Sequence, residues 1–153
     1  MATRRFELTT SVAARPEDAI DFLMDLRRQH GLHPFLVSAE IFESDTAGHT
    51  PWFRWRIHER PGLGPIRYSI RFTARMSRLS AISMVGEVQA APGCTLTSET
   101  RARVVDTEEG SHTVLHEITT VSAPRLLLGY MWSQARRAHA RVYAALPQEF
   151  DPR

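Results

Sequence analysis

Apolar and polar residues alternate with period two along most of this chain, and they recur at helical spacing in only two places. Phe6, Leu8, Thr10 and Val12 share one face of a first segment, with Arg5, Glu7 and Thr9 opposite, so 5–12 reads as a half-buried strand. A helix start follows at Ala14-Arg15-Pro16-Glu17-Asp18, with proline in the first turn and two acids at the positive dipole end. Ala19, Ile20, Leu23 and Leu26 then keep helical spacing to about Arg28. Gly31 and Pro34 end it, leaving 30–35 as a connector. Alternation resumes over 37–43, 52–59, 66–76, 82–90, 96–105 and 112–121, with turn residues between. The segment 124–146 returns to helical spacing, with Leu127, Met131, Ala135, Ala138, Val142 and Leu146 in one stripe. This order predicts an antiparallel meander curved around a long C-terminal helix, with short helices after the first strand. A sheet wrapped on one helix leaves a cavity suited to a small apolar ligand.

Composition narrows the class. With 153 residues, 1–153 is expected to form one domain, with a core over about 4–146 and a frayed tail at 147–153. No apolar run approaches the ~20 residues of a membrane span, and the start lacks the apolar stretch of a secretory signal. Cys94 is the single cysteine, which excludes an intramolecular disulfide and a cysteine metal cluster and fits a cytoplasmic setting. All 19 basic residues are arginine, so lysine Schiff-base chemistry is excluded. These arginines are interspersed with acids at a net charge of +2, so no nucleic-acid partner is expected. His30 and His33 are three apart, but Gly31 and Pro34 interrupt them and no acid or cysteine lies close by, so no metal site is expected. No nucleophile elbow, phosphate loop or dinucleotide fingerprint is present, and no cofactor is expected.

The element order, the helix opening from Ala14 to Leu23, and the Thr113-Val114 strand running into Ser122-Ala123-Pro124 and a terminal helix resemble the START/Bet v1-like (SRPBCC) superfamily. The bacterial polyketide cyclase/dehydrase-like branch is the most similar. The resemblance spans residues 4–146 and rests on diffuse patterns rather than catalytic signatures. It implies an α+β helix-grip fold, in which a seven-stranded antiparallel sheet grips the C-terminal helix over a deep apolar cavity. Lipid carriers, hormone and pigment binders and aromatase/cyclases share that architecture, so it implies fold more strongly than function.

Candidate site residues follow from the faces. Phe53, Trp55, Tyr68, Ile70, Phe72, Met84 and Val88 are expected to point toward the helix. The small Ser98, Thr100 and Ala102 opposite them leave volume for a ligand. Phe35 is expected at the rim, and Tyr130, Met131 and Gln134 on the helix. Gly129 is expected to permit a kink or close approach there. The strand at 112–121 admits two registers. One points Val114, His116 and Ile118 inward, the other Leu115, Glu117, Thr119 and Val121. The first is favoured because a glutamate is the costlier group to bury. His116 and Tyr68 are then the catalytic candidates, with no inward arginine to polarise a polyketide carbonyl. The outer face carries Arg54, Arg56, Arg67, Arg71, Arg75, Arg101 and Arg103 beside Glu87, Glu99 and Glu117, a pattern of cross-strand ion pairs.

Three functions fit these residues. The first is binding of a hydrophobic small molecule such as a lipid, polyketide or aromatic metabolite. The second is acid/base catalysis of the cyclase or dehydratase type through Tyr68 and His116, with Gln134 orienting the substrate. The third is a protein-interaction module using the outer face or the loop at Leu63. A homodimer is left open.

Overall fold

A computed structural model describes residues 1–151. The chain runs β1 (Ala2–Val12), α1 (Pro16–Met24), a 3-10 turn (Leu26–Gln29), β2 (Leu36–Asp45), β3 (Trp52–Glu59), β4 (Gly62–Leu63), β5 (Ile66–Arg67), β6 (Ile70–Ser80), β7 (Ser83–Ala90), β8 (Cys94–Thr107), β9 (Gly110–Ala123) and α2 (Arg125–Glu149). Seven strands form one antiparallel sheet in the order β1-β9-β8-β7-β6-β3-β2. Its concave face receives α1 at one end and α2 along its length. No helix among the described residues is long and apolar enough to cross a membrane.

The segment 66–76 is not one strand. Gly64 turns the chain at φ 61°, and Leu63 pairs with Ile66 and Gly62 with Arg67 in a two-stranded ribbon. The Tyr68 N–H then donates to the Pro61 carbonyl at 3.1 Å, so the long strand begins only at Ile70. Ile66, which alternation puts on the same face as Tyr68 and Ile70, is therefore 64% exposed on the ribbon. The first helix is also shorter than its periodicity suggests. Asp25 leaves helical geometry and caps the 3-10 turn by accepting the Arg27 N–H.

Helix α2 is fixed at both ends. Near its start, the Trp132 indole donates to the Arg5 carbonyl at 3.1 Å, meets Phe6 edge to face, and lies under the Arg4 guanidinium at 3.6 Å. At its end the helix continues through Pro147 to Glu149, and Phe150 packs edge to face on Phe22 of α1, with centroids 5.3 Å apart. Much of the expected tail is thus structured, because an aromatic residue just past the helix finds an apolar seat. Residues 152 and 153 lie outside the described residues.

The first turns of α2 hold Gly129 in the helix, with nothing within 4 Å of where a Cβ would sit. No kink or close approach requires this glycine. Gly129→Ala is expected to stabilise the fold by up to about 1 kcal/mol through helix propensity alone. Urea unfolding checks this, with a raised midpoint and an unchanged slope as the expected result.

Candidate functional site

A cavity of about 510 Å³ lies between the sheet and α2. The sheet wall includes Ile70 and Phe72 of β6, Met84 and Val88 of β7, and Ser98 and Thr100 of β8. The helix wall includes Tyr130, Met131 and Gln134, and the connectors bring in Phe35 and Tyr68. These are eleven of the fifteen residues picked from the sequence; Ala102 is buried in the core instead of lining the cavity. The small residues sit where they open space: Gly86, Ser98 and Thr100 in the sheet face Ala135 and Ala138 in the helix.

Phe53 and Trp55 do not reach this cavity. They lie toward the opposite end of β3, beside a separate recess with Met24 and Arg27 under α1, and Trp55 is 1% exposed. Only the other end of β3, at Ile57 and Glu59, reaches the cavity. Parity chose the right face of this strand, but distance along it decides which residues meet a ligand and which pack beneath a helix.

His116 is also misplaced by the sequence reading. Leu115, Glu117, Thr119 and Val121 are the inward set of β9, and all are buried. His116 lies on the outer face, half-exposed, with Nε2 3.1 Å from Glu7 on β1. Register explains this. Thr107 pairs with Gly110 across a two-residue turn, so even-numbered residues of β8 stand opposite odd-numbered residues of β9. Ala102 faces Leu115, Thr100 faces Glu117, and Ser98 faces Thr119. Opposed residues share a face, so an inward Thr100 forces an inward Glu117.

The cost of burying Glu117 is met by a partner on α2. The His139 Nδ1–H donates to Glu117 Oε1, and the Thr119 hydroxyl donates to the same oxygen at 2.5 Å. The Ser98 hydroxyl lies 2.8 Å from that of Thr119. Phe6 packs edge to face against the imidazole, with centroids 5.7 Å apart. Burial opposes the charge on both groups, but each counters it for the other. The His139 charge and the hydrogen bonds of His139, Thr119 and Ser98 hold the Glu117 carboxyl below the usual range. Glu117, with Glu59 farther off, holds the His139 imidazole above its ordinary value. The result is a buried ion pair in the cavity wall.

A second acid and imidazole meet on the other side. His33 Nε2 lies 3.4 Å from Glu59 Oε1, and both side chains are largely buried. Here burial outweighs the nearby charges. Burial pushes Glu59 up to about 7, against a smaller opposing effect of the His139 charge. Burial and the same His139 charge push His33 down to about 3. The His33 tautomer is set, because Nδ1 accepts the Phe35 N–H at 3.2 Å and the proton must sit on Nε2, facing Glu59.

This pair makes a testable statement about pH. Between the ordinary values of 4.5 and 6.5, unfolding ionises Glu59 and protonates His33, so one proton is lost and one gained. The pair then contributes no slope to stability in that window. Glu59→Gln removes the first half. The unfolded chain then binds the extra His33 proton alone, so between 4.5 and 6.5 stability should rise with pH more steeply than in wild type. Urea unfolding across pH 4.5–6.5 measures this, and identical slopes for the two proteins would contradict it.

Near the β4–β5 ribbon, the Tyr68 and Tyr130 hydroxyls hydrogen-bond to each other, and Tyr130 OH donates to the Gly62 carbonyl at 3.4 Å. That chain uses both phenol protons. Burial, then the Tyr130 contact, raises the Tyr68 pKa, so it stays a phenol rather than a base. Gln134 Nε2 donates to the same Gly62 carbonyl at 3.3 Å, while its Oε1 is buried without a protein partner. The buried Tyr143 hydroxyl, near Thr100 and Glu117, likewise makes no well-formed hydrogen bond.

Sequence reasoning missed Glu59, His33 as a cavity residue, Glu117, His139 and Tyr143. His139 could have been found, since it is four residues after Ala135 and three before Val142 on the apolar stripe. Ion pairs on the outer face are fewer than its pattern suggests. Arg54 meets Glu43 at 2.7 Å and Arg56 meets Glu40 at 3.8 Å, while among the described residues Arg67, Arg71, Arg75, Arg101 and Arg103 have no carboxylate partner.

No protein-family model matches the chain, and no curated protein matches it in sequence. Among solved structures, it is similar to the Zhui aromatase/cyclase from Streptomyces sp. R1128, with a TM-score of 0.73 and 18% sequence identity. The match covers 97% of this chain and 93% of that one. At that identity the likeness speaks for architecture alone: the chain has the α+β helix-grip fold, a seven-stranded antiparallel sheet closed around its C-terminal helix.

Proposed function

We propose that this protein binds a hydrophobic small molecule carrying a few oxygen functions, in the cavity between the sheet and α2. One observation carries the reading. A largely apolar cavity of about 510 Å³ holds two buried polar atoms, Gln134 Oε1 and the Tyr143 hydroxyl, that make no well-formed hydrogen bond among the described residues. The volume falls within the range of small-molecule sites, ~300–1,000 Å³. Buried polar atoms are normally satisfied, so unpartnered ones in a cavity wall favour a ligand that satisfies them. A lipid, polyketide or aromatic metabolite with carbonyl or hydroxyl groups has that chemistry. Native mass spectrometry of the purified protein, followed by solvent extraction, tests the reading. A discrete mass increment from an extractable apolar molecule is the expected result. An empty protein that also binds nothing from a library of such molecules would overturn it.

A second reading, acid/base catalysis of the cyclase or dehydratase type, is favoured by the imidazole of His139. It lines the cavity and is oriented by a buried carboxylate, as general acids and bases are. The similar structure is described as an aromatase/cyclase, which suits the same reading. The residues involved differ from those picked in the sequence, since His116 is on the outer face and the Tyr68 proton is committed to Tyr130. With a substrate in hand, His139→Gln should lower kcat at least 100-fold, and an unchanged kcat would remove this reading.

A further inference from the structure

We propose that Glu59, oriented by His33, is the polar anchor of the cavity and holds a neutral ligand by a carbonyl oxygen while rejecting a carboxylate such as that of a fatty acid. The proposal rests on the binding reading above and specifies the chemistry of its ligand.

Three features of the geometry carry it. First, Glu59 is a buried carboxyl that lines an apolar cavity and has no arginine partner among the described residues. Second, its one polar contact leaves part of it free. The His33 Nε2–H points at Oε1 from 3.4 Å, and His33 cannot turn its other nitrogen, which is held by the Phe35 N–H. A carboxyl whose one oxygen accepts that proton keeps its own O–H for a ligand. Third, the interior around Glu59 offers an anion no unmatched positive charge. The groups around Glu59 are His33 on the connector, His139 on α2, Tyr68 before β6 and Arg71 on β6. The charge of His139 is already matched by Glu117, and Arg71, which has no carboxylate partner among the described residues, is exposed at the edge of the cavity. An acid head group drawn in to Glu59 would leave that exposed arginine behind and lose its hydration. The positive His139 disfavours a cationic amine as well. Burial keeps Glu59 in its acid form up to about pH 7, and this supports its role as a donor.

Four probes on one skeleton test the proposal by calorimetric titration: 2-acetylnaphthalene, 2-ethylnaphthalene, 2-naphthoate and 2-(aminomethyl)naphthalene. At pH 6 the ketone should bind about 3- to 10-fold more tightly than the hydrocarbon, as expected for one added hydrogen bond, and the naphthoate most weakly. At pH 8.5 the advantage of the ketone should shrink as Glu59 ionises. Glu59→Gln keeps an N–H donor of the same shape, so it should retain the preference and lose its pH dependence. Glu59→Leu should bind ketone and hydrocarbon equally. Equal binding of the two by wild type at pH 6 would overturn the proposal, as would naphthoate binding as well as the ketone. So would a pH dependence that survives in Glu59→Gln, or an amine that binds best at pH 6. In each of these cases a bound 2-ethylnaphthalene leaves the apolar cavity standing as a binding site. Failure of all four probes would remove the binding reading along with the proposal.

Discussion

His139→Leu is expected to destabilise the protein by about 3 kcal/mol or more at pH 6.5, the cost of leaving one charge of a buried pair alone. Glu117 is 4% exposed, and His139 is its counter-charge. Without the imidazole the carboxylate keeps the Thr119 hydroxyl at 2.5 Å but has no cation. Its folded pKa must then rise above the ordinary 4.5. The sign of the pH effect follows. The folded variant holds a proton that the unfolded chain releases, so its stability falls as pH rises through that interval. Wild type loses the His139 contribution only as pH rises above 6.5 through the raised folded value, so the penalty should be smaller at pH 5 than at pH 6.5. Glu117→Leu combined with His139→Leu removes both charges and should recover most of the loss, because an apolar pair of similar volume is often neutral in such a site. Urea unfolding of both single variants and the double variant at the two pH values completes the cycle. A His139→Leu penalty under 1 kcal/mol at pH 6.5 would mean that the pair is not held as described.

The second large effect concerns binding. Ala135→Phe should lower affinity for any cavity ligand at least 100-fold while leaving the fold intact. Ala135 lines the cavity on α2, one turn before His139, and is only half-buried. A phenyl group there projects into space that a ligand must occupy. Burying it against Phe72, Met84 and Val88 recovers hydrophobic free energy of about 25 cal/mol per Å² removed from water. The melting temperature should thus hold or rise. Ala19→Phe makes the contrast, since Ala19 is 0% exposed in the core under α1 and does not line the cavity. Overpacking there should cost about 1–3 kcal/mol. Unchanged affinity in a folded Ala135→Phe protein would place the ligand elsewhere.

How far the sequence was legible depended on which signal each feature leaves. Strand and helix order follows from periodicity, and the sheet order from short antiparallel connections, so the architecture was readable. The apolar lining was readable from parity, as Ile70, Phe72, Met84 and Val88 show. The chemistry was not, because both cavity carboxylates break the rule that produced the lining. Glu117 was read outward since a buried glutamate is costly, and its price is met by His139, 22 residues away on another element. The turn offered a better guide. A two-residue loop at Glu108-Glu109 fixes the parity of β9 against β8, and the inward Ser98 and Thr100 then place Glu117 inward. Glu59 sits on the face of Trp55 and Ile57 by simple alternation, but as the last residue of its strand it reads as a solvated end. Phe53 and Trp55 show the converse limit. Alternation gives the face, whereas only the three-dimensional path of α1 shows that their end of the face is covered.

Binding inside the cavity is the central claim, and methyl NMR of the protein titrated with 2-acetylnaphthalene tests it most directly. Intermolecular NOEs should appear from the methyl groups of Met84, Met131 and Ala135, all of which line the cavity. The exposed methyls of Leu63, Ile66 and Leu126 should show none. NOEs confined to those exposed residues, with silent Met84, Met131 and Ala135, would contradict the account.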